Sequence, residues 1–132
     1  MTVKVYAMIC GWISGAFDLM NADALGRIRF PVPAYLIDHP KGRVLFDSGL
    51  HPDIQTDMRA RAGDVLADLF EVEFRPGKEI KARLETLDIA TDSIDYIINS
   101  HLHWGHTGGN ALVPNATIII QEKVWNPGMC PS

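Results

Sequence analysis

Apolar and polar residues alternate over residues 3–9, partly with β-branched side chains, which predicts a strand. Residues 11–15, bounded by Gly11 and Gly15, are expected to break it, and residues 16–26 to form a loop with a helical turn. Pro31 and Pro33 cannot donate to a sheet ladder, so the next strand is expected only over residues 34–37. The turn His39-Pro40-Lys41-Gly42 leads into Arg43-Val44-Leu45-Phe46-Asp47, and the two runs together predict a hairpin. Residues 50–77 are weakly periodic, with a short helix expected near 53–62 and an extended piece near 69–74. Ile80, Leu84 and Leu87 fall at i, i+4 and i+7 and put one apolar face on a helix over residues 79–87. Ile94-Asp95-Tyr96-Ile97-Ile98-Asn99 reads as a strand buried on both faces, and residues 116–120 as a final strand. About five strands interleaved with one clear helix predict an α/β layered protein.

Composition narrows the class. The chain has 132 residues, 47% of them apolar and 21% charged, which suits one folded domain. The net charge is −4 and no Lys/Arg cluster occurs, which argues against a nucleic-acid partner. No stretch reaches the roughly 20 apolar residues that span a bilayer, and residues 1–10 lack the features of a signal peptide. Two cysteines, Cys10 and Cys130, leave a single bridge open but make no disulfide framework. A reduced, cytoplasmic setting is the expectation.

Chemistry concentrates directly after the strand over residues 94–99. Three of the five histidines, His101, His103 and His106, occur within six residues. On a turn leaving a strand, the i, i+2 spacing lets two imidazoles converge on one ion, and the third can complete the set or hold a neighbouring ion. Imidazole suits zinc, iron, copper or nickel. A catalytic zinc keeps three protein ligands and an open position for water. His39 and His51, each beside a proline, are expected to be solvated loop residues. Asp47 closes its strand before Ser48-Gly49. Its carboxylate is expected either to orient a ligand histidine or to cap the following loop as an Asx turn.

The run Ser100-His101-Leu102-His103-Trp104-Gly105-His106-Thr107-Gly108-Gly109-Asn110 resembles the signature loop of the metallo-β-lactamase superfamily, His-x-His-x-Asp-His. The Gly-Gly-Asn that follows is common in its lactonase branch. Pro33-Ala34-Tyr35-Leu36-Ile37, Gly42-Arg43-Val44-Leu45-Phe46-Asp47-Ser48-Gly49 and Asp95-Tyr96-Ile97-Ile98-Asn99 agree, and the whole is most similar to the N-acyl-homoserine lactonases. The resemblance implies the first half of an αβ/βα sandwich over residues 1–126, with residues 127–132 an irregular tail. It implies zinc, two ions in the family, with His101 and His103 serving the first and His106 the second. It implies attack of a metal-activated hydroxide on a lactone or ester carbonyl. It also makes Asp47 a partner of the ligands rather than a loop cap.

Two departures from the family bear on activity. Gly105 stands where the family has aspartate, so one carboxylate ligand and the candidate proton carrier are missing. The later ligands of the family's second half have no counterpart in these residues. At most one ion is therefore expected here. Three readings stay open: a metal-dependent lactone or ester hydrolase, impaired in this chain; a non-catalytic remnant that binds one ion; and an assembly module that self-associates through an uncovered sheet face.

Overall fold

The computed structural model describes residues 2–125. Six strands form one sheet: β1 (Lys4–Ala16), β2 (Arg27–His39), β3 (Gly42–Phe46), β4 (Phe70–Glu73), β5 (Tyr96–Ile98) and β6 (Thr117–Ile119). Their order is β4-β1-β2-β3-β5-β6. The pairings β1–β4, β1–β2 and β2–β3 are antiparallel, whereas β3–β5 and β5–β6 are parallel. The helices among the described residues are short: α1 (Met58–Ala62), α2 (Asp64–Leu69), α3 (Ile80–Glu85), α4 (Trp104–Thr107) and α5 (Glu122–Trp125). The proposed tail over residues 127–132, with Cys130, lies outside the described residues.

One face of the sheet makes the core. Ala34, Leu36, Leu45 and Ile97 are fully buried and share a cluster with Ile80 and Leu84 of α3. The i, i+4 pair read from the sequence is therefore the buried stripe of that helix. Each such Leu or Ile contributes about 1.5–3 kcal/mol when removed from water. The other face stays partly open. Strand register places Ile37, Val44 and Tyr96 in one row and Tyr35, Phe46, Ile98 and Ile119 in the next. Tyr35, Tyr96 and Ile119 on that face are 39%, 46% and 44% exposed.

Several local expectations need correction. β1 does not stop at Gly11; it runs on to Ala16 through a register shift between Ile9 and Trp12. Gly11 absorbs the irregularity with φ +111°, where a side chain would be strained and would meet the Glu73 carbonyl at 3.0 Å. β2 runs through both prolines. Pairing with β3 begins only at Tyr35, so Pro31 and Pro33 sit where β2 has a single strand neighbour. β5 is buried on one face only, because Tyr96 points to the open side. The hairpin, the helix and the final strand stand where the pattern put them, the helix narrowed from residues 79–87 to Ile80–Glu85, with Leu87 beyond its end, and the strand narrowed to Thr117–Ile119. Among the described residues, no helix is long and apolar enough to cross a membrane.

Candidate functional site

β3 and β5 are parallel neighbours, so their carboxyl ends open on the same rim of the sheet. The Asp47 amide extends the ladder by donating to the Ile98 carbonyl at 2.9 Å, and there the two chains part. Asp47 takes φ +60°, a conformation that aspartate tolerates better than most residues. Its buried carboxylate reaches across to the loop after β5 instead of capping its own. Oδ1 accepts the Ser100 amide at 2.8 Å, and Oδ2 accepts the Ser100 hydroxyl at 2.8 Å. Oδ2 also lies 2.8 Å from Nδ1 of His106. The Asx-turn alternative for Asp47 is thus not the one realised.

The loop carrying the histidines is fastened to the β3 end by a polar network. The His106 carbonyl accepts from the Ser48 amide and from Asn99 Nδ2, each at 2.9 Å. Asn110 bonds Asn99 Oδ1 at 2.8 Å and accepts from Ser48 Oγ at 2.6 Å. This fastening needs Gly108 and Gly109. A Cβ at Gly108 would meet the His51 amide nitrogen at 2.1 Å, and one at Gly109 the Ser48 carbonyl at 2.4 Å.

The three imidazoles come together. The His101 ring lies 4.5 Å from His103, edge to face, and 3.9 Å from His106 between centroids. Ser100 Oγ is 2.9 Å from His101 Nδ1. Burial lowers the His101 pKa, the neighbouring His106 and His103 lower it further, and Asp47 opposes them. Burial alone would raise the pKa of Asp47. Hydrogen bonds from His106 and from the amide and hydroxyl of Ser100 outweigh it and hold the carboxyl below its ordinary value.

An apolar cavity of about 600 Å³ runs up to these rings. Ile13, Met20, Phe30, Leu66, Phe70 and Trp104 line it beside His101, His103, Gly105 and His106. Phe70 and Trp104 lean together with ring centroids 6.0 Å apart. The donor set, three imidazoles with one nitrogen each left over from Ser100, Asp47 or solvent, fits a borderline ion such as zinc in its chemistry. Its placement stops short of a ligand cage. Among the described residues, no three His, Cys, Asp or Glu side chains are arranged to hold an ion. Position 105 offers no donor, although a Cβ there would meet only Ile13 Cδ1 at 3.7 Å and Val32 Cγ1 at 3.9 Å.

His39 and His51 stand apart from this cluster but are not simply solvated. Nδ1 of His39 accepts the Lys41 amide at 3.0 Å, and Nδ1 of His51 accepts the Asp53 amide at 3.1 Å, capping a 3-10 turn over Pro52–Gln55. Sequence reasoning gave no role to Ser100, Asn99, Asn110 or the cavity wall. Ser100 precedes the first histidine and could have been flagged by that position alone. The wall draws on residues 13–104, and no local pattern joins them.

Residues 27–129 match the metallo-beta-lactamase superfamily. The N-acyl homoserine lactonase AttM of Azorhizobium caulinodans is 36% identical over 112 residues, which cover 85% of this chain and 42% of that protein. An N-acyl homoserine lactonase of Bacillus thuringiensis is 29% identical over 102 residues, 77% of this chain and 41% of the relative. The structure of a B. thuringiensis AiiA mutant with N-decanoyl-L-homoserine bound at the active site superposes with a TM-score of 0.84 at 26% identity. That match covers 98% of this chain and 53% of the other. The chain thus spans about half the length, or less, of the proteins it matches. With its mixed sheet, its hairpin-borne aspartate and its histidine loop, this chain belongs to the metallo-β-lactamase superfamily, and its relatives include N-acyl homoserine lactonases.

Proposed function

We propose that this chain supplies the histidine loop and acyl-binding wall of a metal-dependent hydrolase for lactones of the N-acyl homoserine type, with impaired activity in this sequence. One observation carries the reading: a largely apolar cavity ends on three clustered imidazoles, one of them tied to a buried carboxylate. His101, His103 and His106 are the donors that would hold one ion, once drawn closer together than they stand here. Zinc bound there would supply Lewis acidity and activation of water near neutral pH. The protein's own part is positional. Asp47 and Ser100 fix the His106 and His101 rings, Phe70 and Trp104 take an apolar acyl chain, and the cavity keeps bulk water from the carbonyl. A cytoplasmic setting belongs to this reading, supported by only two cysteines in 132 residues.

The test pairs zinc binding by calorimetry with turnover of N-hexanoyl homoserine lactone, followed by acid release. Zinc uptake near one equivalent, with a rate above a His101→Ala control, supports the hydrolase. Uptake without turnover supports a second reading, a non-catalytic chain that binds one ion. Gly105 favours that reading, since it removes a carboxylate from the rim of the cavity.

A further inference from the structure

We infer that the Ser100 hydroxyl is a positioning group that fixes the proton of His101 on Nδ1 and leaves Nε2 as its free donor nitrogen. The assignment follows from counting protons around one oxygen. Ser100 Oγ has three polar neighbours: Asp47 Oδ2 at 2.8 Å, His101 Nδ1 at 2.9 Å and His106 Nδ1 at 3.4 Å. An ionised carboxylate only accepts, and a hydroxyl donates once. Asp47 Oδ2 therefore takes the hydroxyl proton, and it takes the Nδ1 proton of His106 at 2.8 Å as well. Ser100 has only lone pairs left to offer. His101 Nδ1 can meet them at 2.9 Å only by donating. Were His101 protonated on Nε2, two lone pairs would face each other, or the hydroxyl would turn from Asp47 and leave a buried carboxylate short of one bond.

A single carboxylate thus sets two imidazoles, His106 directly and His101 through a hydroxyl. Among the described residues His103 has no such partner for its ring, so its tautomer is left to a ligand or to solvent. The consequence for metal binding rests on the proposed function; the tautomer itself does not. Both preset rings present the same nitrogen before any ion arrives. Where a ligand histidine is held this way, loss of its partner weakens metal affinity about 10- to 100-fold.

The experiment is two-bond nitrogen–proton NMR on the metal-free, ¹⁵N-histidine-labelled chain at mildly alkaline pH. The wild type should show the Nδ1–H pattern for His101 and His106. Ser100→Ala should move His101 toward Nε2–H and leave His103 unchanged, and Ser100→Thr should keep the wild-type pattern. An Nε2–H pattern at His101 in the wild type, which needs no variant to fold, overturns the inference. So does an unchanged His101 in Ser100→Ala. A zinc titration then separates the two proposals. No uptake by the wild type defeats the metal reading and leaves the tautomer to the spectra, whereas equal affinity in wild type and Ser100→Ala defeats the positioning role.

Discussion

Replacing Gly105 with aspartate tests whether the histidine loop is a metal site short of one ligand. Position 105 is a buried turn of α4, and a new Cβ meets Ile13 Cδ1 at 3.7 Å and Val32 Cγ1 at 3.9 Å. Both are ordinary contacts, so a Cβ enters there without displacing its neighbours. That Cβ packs beside two hydrocarbon side chains only 4% and 3% exposed, on the wall of the cavity. Without a partner the carboxylate costs about 1–3 kcal/mol, against a few tenths recovered from helix propensity. For a domain of this size each kcal/mol moves the melting temperature by roughly 3–5 °C. The metal-free Gly105→Asp chain should therefore melt about 3–15 °C below the wild type. Zinc should reverse the order of response. A tenfold gain in affinity adds about 1.4 kcal/mol, so the zinc-induced rise should exceed the wild-type rise by roughly 4–7 °C. Melting with and without zinc for the wild type, Gly105→Asp and Gly105→Asn checks this. Asparagine has the same shape with no charge. Equal zinc responses in the aspartate and asparagine variants would refute the reasoning. Gly105→Ala measures space alone and should stabilise by about 0.5–1 kcal/mol.

Gly108→Ala should fold poorly or not at all, since its Cβ would stand 2.1 Å from the His51 amide nitrogen and 2.3 Å from the Leu50 carbonyl carbon; soluble yield and circular dichroism read this. In the metal-free chain stability should fall in two steps on acidification, followed by urea midpoints. His101 has a folded pKa below its ordinary 6.5, so the unfolded chain binds the extra proton as pH drops through 6.5, and stability declines until the folded pKa is reached. Asp47, also lowered, stabilises above its ordinary 3.8 and loses that contribution as pH falls from there through its folded pKa. His101→Gln should remove the first step and keep the second. The open sheet face should drive self-association at high concentration, and Tyr96→Lys with Ile119→Lys should abolish it in sedimentation velocity; a wild type that sediments as a monomer at all concentrations would count against an assembly role.

What the sequence disclosed follows the range of the forces involved. The hairpin of β2 and β3 was legible because its alternation and its turn are local. α3 was legible because Ile80 and Leu84 repeat at the helical period. The true reach of β1 and β2 was not, because glycine and proline are judged against a regular strand, whereas here a register shift and a one-sided neighbour accommodate them. The three histidines announced themselves by crowding. Asp47 was identified, yet its choice between a local turn and a bond to a residue 59 positions away depends on which strands pair. The bonds of Ser100 and the cavity wall depend on the same pairing; Ser100 carried only its place before the first histidine, and the wall carried no local signal.

The bond from Asp47 to the Ser100 amide joins residues 53 apart in the chain. It cannot exist until β3 and β5 have found each other, after the intervening segment has looped out at an entropic cost. The imidazoles stay unaligned until that pairing forms. Metal uptake in a refolding experiment would then lag behind secondary structure and report the moment of native pairing. On the proposed metal site, zinc added before the pairing would find the donors apart, and zinc added after it would find them assembled. For this fold the site is a clock as well as a pocket: its appearance dates the closure of the longest parallel contact in the sheet.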